Sequence, residues 1–107
     1  MTYIEHYDAA SNQYFEIPEF DITGYKTLED FVSSDEDSIQ AALLSAVYHG
    51  VTLNLKSAPV FAIKESDSVV TISKDDYLAK INMCITYYSS IEEYEICATL
   101  VDLSKLI

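Results

Sequence analysis

The chain has 107 residues, half of them hydrophobic, which is the size and apolar content of one folded domain, 1–107. Eighteen acids face six Lys and no Arg, for a formal net charge of −12. That balance excludes nucleic acid as a direct ligand, and two Gly leave no glycine-rich phosphate loop.

The charge is concentrated. Residues 1–40 carry ten acids against Lys26 alone, which is three-quarters of the net charge. Met1-Thr2-Tyr3-Ile4-Glu5 has neither the basic region nor the apolar core of a secretory signal. No apolar run approaches the ~18 residues of a membrane span. Cys84 and Cys97 make no disulfide framework and read as free thiols in apolar stretches. A cytoplasmic protein is expected.

In chain order, Tyr3, Glu5 and Tyr7 alternate with Ile4 and His6, the pattern of a strand. Asp8 to Gln13 reads as a turn, and Tyr14-Phe15-Glu16-Ile17 as a second strand stopped by Pro18. Residues 18–27 are expected to be irregular. Thr27-Leu28-Glu29-Asp30 predicts a capped turn of helix through Val32. Ser34-Asp35-Glu36-Asp37 predicts a longer helix, with Ser34 as its cap and three carboxylates at the positive end of its dipole. Ile39, Leu43, Ala46 and Val47 form its apolar stripe, and Gly50 is expected to end it in a left-handed conformation.

Val51, Leu53 and Leu55 then alternate as a strand. Pro59 to Lys64 and Val69 to Ser73 flank a Ser66-Asp67-Ser68 turn, the clearest hairpin in the chain. Ser73-Lys74-Asp75-Asp76 predicts a helix carrying Leu78, Ile81, Ile85 and Tyr88. Ser90-Ile91-Glu92-Glu93 predicts another, presenting Ile96, Leu100, Leu103 and Ile107. Residues 81–101 are rich in β-branched and aromatic side chains and also fit two strands, but the capping patterns favour helices. The expected class is α+β: a small, mostly antiparallel sheet with the hairpin near 60–73, and helices near 35–49, 75–88 and 91–106 packed on one face.

Little in the chain suggests catalysis. His6, His49, Cys84 and Cys97 lack zinc-ligand spacing. A calcium loop starting at Asp35 fails, since Gln40 stands at the sixth position and Ala46 at the twelfth. Thiols on apolar faces have raised pKa values and are inert. The adjacent acids Glu29-Asp30, Asp75-Asp76 and Glu92-Glu93 sit in expected first helical turns, where the dipole accounts for them. No cofactor and no metal are expected.

The leading expectation is an acidic inhibitor that occupies the basic, nucleic-acid-binding surface of a partner protein such as a nuclease. This is the general character of small phage or plasmid proteins that block CRISPR or restriction nucleases, with no motif match to any of them. The expected partner-binding residues are Glu16, Glu19, Asp21, Glu29, Asp30, Asp35, Glu36, Asp37, Tyr14 and Tyr25. Glu16, Glu19 and Asp21 stand out because no helix cap explains them. The alternatives are an immunity protein for a basic nuclease toxin and a small ligand-binding or enzymatic domain around Tyr48-His49. A homodimer through a stripe of Tyr87, Tyr88 and Tyr94 is a further expectation.

Overall fold

The computed structural model describes residues 2–107. Alternation builds the first hairpin. Strands β1 (Thr2–Asp8) and β2 (Gln13–Phe20) pair antiparallel without a register shift, from Thr2–Glu19 to Asp8–Gln13. Ile4 and His6 turn partly inward, while Phe15 and Ile17 enter the core. Asn12 closes the connection at φ 54, a left-handed conformation that Asn tolerates, and its side chain accepts a 2.6 Å bond from the Tyr7 hydroxyl.

Contrary to the expectation from sequence, Pro18 does not stop β2, which runs on to Phe20. It lies inside the strand opposite Tyr3. The parallel ladder to β3 (Ser57–Ile63) begins only after it, at Glu19–Ala62 and Phe20–Ile63. The residue without an N–H therefore sits at the boundary of that ladder and not inside it.

Thr27 caps α1 (Leu28–Ser34) by accepting from the Asp30 amide at 3.1 Å, as its spacing predicts. Phe31 is the buried residue of this short helix. Its ring meets Phe20 at 5.3 Å and Phe61 at 6.5 Å, and Phe20 meets Phe61 at 5.1 Å. This aromatic triangle joins β2, α1 and β3 in tilted and edge-on contacts.

Helix α2 (Glu36–Thr52) departs from expectation at both ends. Ser34 does not cap it, because its hydroxyl is turned back to the Phe31 carbonyl of α1, and Asp35 takes the N-cap position. Gly50 does not end it either. The helix runs on to Thr52, and Asn54 adopts the left-handed conformation at φ 53. Val51 and Leu53 are thus in the last helical turn and its cap, not in a strand.

The reason lies in Tyr77. Its ring packs directly over Gly50, and its hydroxyl donates 2.8 Å to the buried Leu55 carbonyl. Gly50 is needed for this close approach and not for a turn.

The hairpin near 60–73 forms from β3 and β4 (Val69–Ser73), with a register shift between Pro59 and Phe61. The sheet order is β1-β2-β3-β4. Both outer pairs are antiparallel and the central pair is parallel, so the sheet is mixed. The chain crosses from β2 to β3 through α1 and α2, as a parallel pair requires.

Ser73 caps a 3-10 turn at Lys74–Asp76, which leads into α3 (Tyr77–Ser90). Its buried positions are Tyr77, Ile81, Cys84 and Tyr88, so Leu78 is exposed instead of lining the core. Helix α4 (Tyr94–Ser104) follows. Ser90 closes α3 by donating to the Tyr87 carbonyl and does not cap α4. The segment 81–101 is helical on both sides of the turn at Ser90 to Glu93. Helix α2 packs on β3 and α3, and α3 on α4. The product is the α+β architecture read from the sequence, with the buried side chains of the sheet and helices in one cluster.

Gly50→Ala tests the Tyr77 contact. On an open helix this change gains about 1 kcal/mol. Here the added Cβ would lie 2.5 Å from Cζ of a ring that is buried and hydrogen-bonded. A net loss of about 1–3 kcal/mol is expected in urea unfolding. A midpoint at or above that of the unmodified chain would show that Tyr77 moves aside freely.

Candidate protein-docking surface

The β1–β2 pairing determines which side chains share a face. Glu5 stands opposite Glu16, Tyr7 opposite Tyr14, and Tyr3 opposite Pro18. Tyr3, Tyr7 and Tyr14 are 54 %, 45 % and 66 % exposed, so this side of the hairpin is open. The rings of Tyr7 and Tyr14 lie 5.0 Å apart. Tyr3, Ile4, Glu5, Tyr14 and Glu16 line a shallow depression of about 480 Å³. The hairpin from Thr2 to Phe20 holds four acids and no Lys. Two carboxylates directly across from each other in a ladder repel, at a cost of roughly 0.2–1 kcal/mol.

A second acidic depression, about 400 Å³, lies at the far end of β2. Glu19, Asp21, Tyr25 and Asp35 line it, with Thr2, Phe20, Phe31, Ser38 and Lys64. Hydrogen bonds from Thr23, its amide at 2.9 Å among them, hold the Asp21 carboxyl below its usual pKa, and nearby Lys64 lowers it further. Tyr25 rests edge-on against Phe31 at 5.4 Å.

Of the residues expected to bind a partner, Tyr14 and Glu16 thus share one depression and Glu19, Asp21, Tyr25 and Asp35 another. Glu29, Asp30, Glu36 and Asp37 line neither. They occupy the first turns of α1 and α2, where the helix dipole stabilises them, and Asp37 also accepts from the Tyr87 hydroxyl. Tyr3, Glu5 and Tyr7 belong to the surface and were absent from the expected set. Their alternation in the sequence already placed them on one strand face, and only the pairing with β2 shows that the face is shared with Tyr14 and Glu16.

Among the described residues there is one ion pair, Lys105 with Asp102 at 3.8 Å, and both partners are exposed. Among the described residues, no carboxylate of the N-terminal half is ion-paired. No group of three His, Cys, Asp or Glu side chains among the described residues is placed to hold a metal ion. Among the described residues, no helix is long and apolar enough to cross a membrane.

The alternative site does not assemble as expected. His49 packs against Phe15 at 5.6 Å, half-buried. The depression that includes Tyr48 is lined by Ala41, Leu44, Ser45, Ile96 and Thr99, with neither His49 nor a carboxylate. The tyrosine stripe is also broken. Tyr88 is buried, Tyr87 is half-buried, and Tyr94 alone is widely exposed. Cys84 is fully buried, and burial pushes its thiol up to about 11.

Comparison with protein-family models, curated proteins and solved structures finds no match for this chain.

Two measurements follow from these environments. Glu16→Gln removes the repulsion with Glu5 and is expected to raise stability by a few tenths of a kcal/mol in low salt, with the gain shrinking as salt is added. Unchanged stability at every salt concentration would mean the two carboxylates avoid each other. Separately, burial raises the pKa of Cys84, Tyr77 and Tyr88 in the fold. The unfolded chain therefore loses these protons first, and the folded state holds more of them. Stability is expected to be steady up to pH about 9 and to fall as pH rises through about 11. A urea midpoint that holds across that range would contradict this.

Proposed function

We propose that this chain is an acidic protein-binding inhibitor that occupies a basic, nucleic-acid-binding surface of a partner enzyme. The observation that carries the reading is a set of carboxylates that make no ion pair among the described residues: Glu5 and Glu16 on the open hairpin face, and Glu19, Asp21 and Asp35 around the second depression, where Lys64 lies nearby. Exposed Tyr3, Tyr7, Tyr14 and Tyr25 lie among them. A carboxylate field with aromatic side chains is what a surface rich in Lys and Arg pairs with, because the charges steer encounter and the rings supply contact area.

Dimensions support the same reading. The molecule extends 37 × 34 × 21 Å. Duplex DNA carries about one charge per 1.7 Å of axis, or about 20 over such a length. The chain carries a net charge of −12, lower in total but concentrated in its first 40 residues. A partner groove built for a phosphate backbone meets a comparable charge here.

The test is affinity capture with the intact chain, followed by competition. A basic nucleic-acid enzyme is expected in the eluate, its activity blocked and its binding displaced by duplex DNA or RNA. Affinity is expected to fall by at least about tenfold as salt rises from about 50 to about 200 mM. The combined variant Glu16→Gln, Glu19→Gln, Asp21→Asn, Asp35→Asn is expected to lose at least about tenfold more while keeping its circular dichroism spectrum. Tight binding that ignores both salt and these substitutions would rule out mimicry of a nucleic acid.

A further inference from the structure

We propose that β1 is a docking edge that takes up an extended, Arg- or Lys-bearing segment of the partner as a fifth strand. This rests on the reading of the chain as a binder of a basic protein and names the surface and the shape of what it binds.

The first observation is the edge itself. β1 is the end strand of the sheet, seven residues long and regular throughout its pairing with β2. Its outer side has no strand. No backbone hydrogen bond from residues 2–8 to anything outside the hairpin is present among the described residues. Natural sheets protect such edges with charged side chains, above all Lys, or with Pro, a bulge or a covering element. The charges of β1, Glu5 and Asp8, are acidic and so repel an acidic strand while admitting a basic one. β1 has no Pro, no Lys and no bulge. The opposite edge, β4, is shorter and lies against the register shift in β3.

The second observation is the charge beside that edge. A strand added next to β1 would bring alternate side chains onto the face of Tyr3, Glu5 and Tyr7. There they would meet Glu5, with Glu16 behind it on β2 and the Tyr7 and Tyr14 rings alongside. A guanidinium or ammonium in that position relieves the Glu5–Glu16 repulsion and lies against aromatic rings. Charge also decides between occupants. A second copy would add its own acidic hairpin to this one, whereas a basic strand supplies the missing cations. The repulsion between Glu5 and Glu16 is tolerated in the free chain and is relieved on docking.

The experiment uses the full chain and two synthetic peptides of equal charge. One alternates Arg with Val and forms strands readily; the other carries Pro in place of each Val. The Arg-Val peptide is expected to bind at least about tenfold tighter. Alternate amides within residues 2–8 are expected to exchange with solvent at least about tenfold more slowly when it is bound. Glu5→Lys is expected to fold at least as well as the unmodified chain, since it creates an opposite-charge pair with Glu16, and to weaken the peptide by at least about tenfold. Equal affinity for the two peptides overturns the proposal, as does protection around Glu19, Asp21 and Asp35 in place of β1. So does a free chain that dimerises with its β1 amides already protected. The broader reading fails separately. If a captured basic enzyme tolerates Glu5→Lys but is lost on Asp21→Asn with Asp35→Asn, the strand assignment is wrong and the binder reading stands. If the peptide docks on β1 but no basic protein is captured, the strand assignment stands and the binder reading falls.

Discussion

A net charge of −12 must be folded here with a single exposed ion pair among the described residues, so apolar burial and close packing hold the molecule together against its own repulsion. Two packing devices join its parts. The rings of Phe20, Phe31 and Phe61 tie β2, α1 and β3 to one another. Tyr77 ties the helical half to the end of α2, with its ring on Gly50 and its hydroxyl on the Leu55 carbonyl. Both are buried and neither involves a charge, so neither weakens when salt or pH changes the surface field in the neutral range.

That division of labour leaves the carboxylates free for other work, but not all of them equally. Those at the starts of α1 and α2 already interact with helix dipoles, and Asp37 holds Tyr87. Glu5 and Glu16 have no such role and face each other across the hairpin. Paired carboxylates that serve neither a helix cap nor packing are the kind of feature expected where a surface is kept for a partner.

Much of the fold was legible in the sequence because the signals were local. Alternation marked β1, the turn at Ser66 to Ser68 marked the β3–β4 hairpin, and Thr27 and Ser73 capped where their spacing said they would. The failures came where a distant residue overrode a local rule. Gly50 looked like a helix end, but Tyr77, twenty-seven positions along the chain, needs it as a flat surface within the helix. Ser34 and Ser90 looked like caps for the next helix, but each bonds back into the helix it ends. Pro18 looked like a stop, but the ladder it would have broken begins only beyond it. The candidate docking surface was half legible for the same reason. Acidity and aromatic content showed in composition, while the grouping of Glu5 with Glu16 and of Glu19 with Asp35 depends on strand pairing and on the crossover.

The parallel pairing of β2 with β3 also has a kinetic side. It consists of two residue pairs, Glu19–Ala62 and Phe20–Ile63, and it closes the long crossover that contains α1 and α2. The two hairpins and the α3–α4 pair need only neighbouring chain to form, so they can assemble first. The central seam closes the longest of these loops and so bears the largest closure cost, which the contacts among Phe20, Phe31 and Phe61 help to offset. The acidic hairpin is therefore joined to β3 by a narrow hydrogen-bonded ladder, while Phe15, Ile17 and Phe20 anchor it in the shared core. That anchor keeps the narrow seam closed, although it has only two residue pairs of its own.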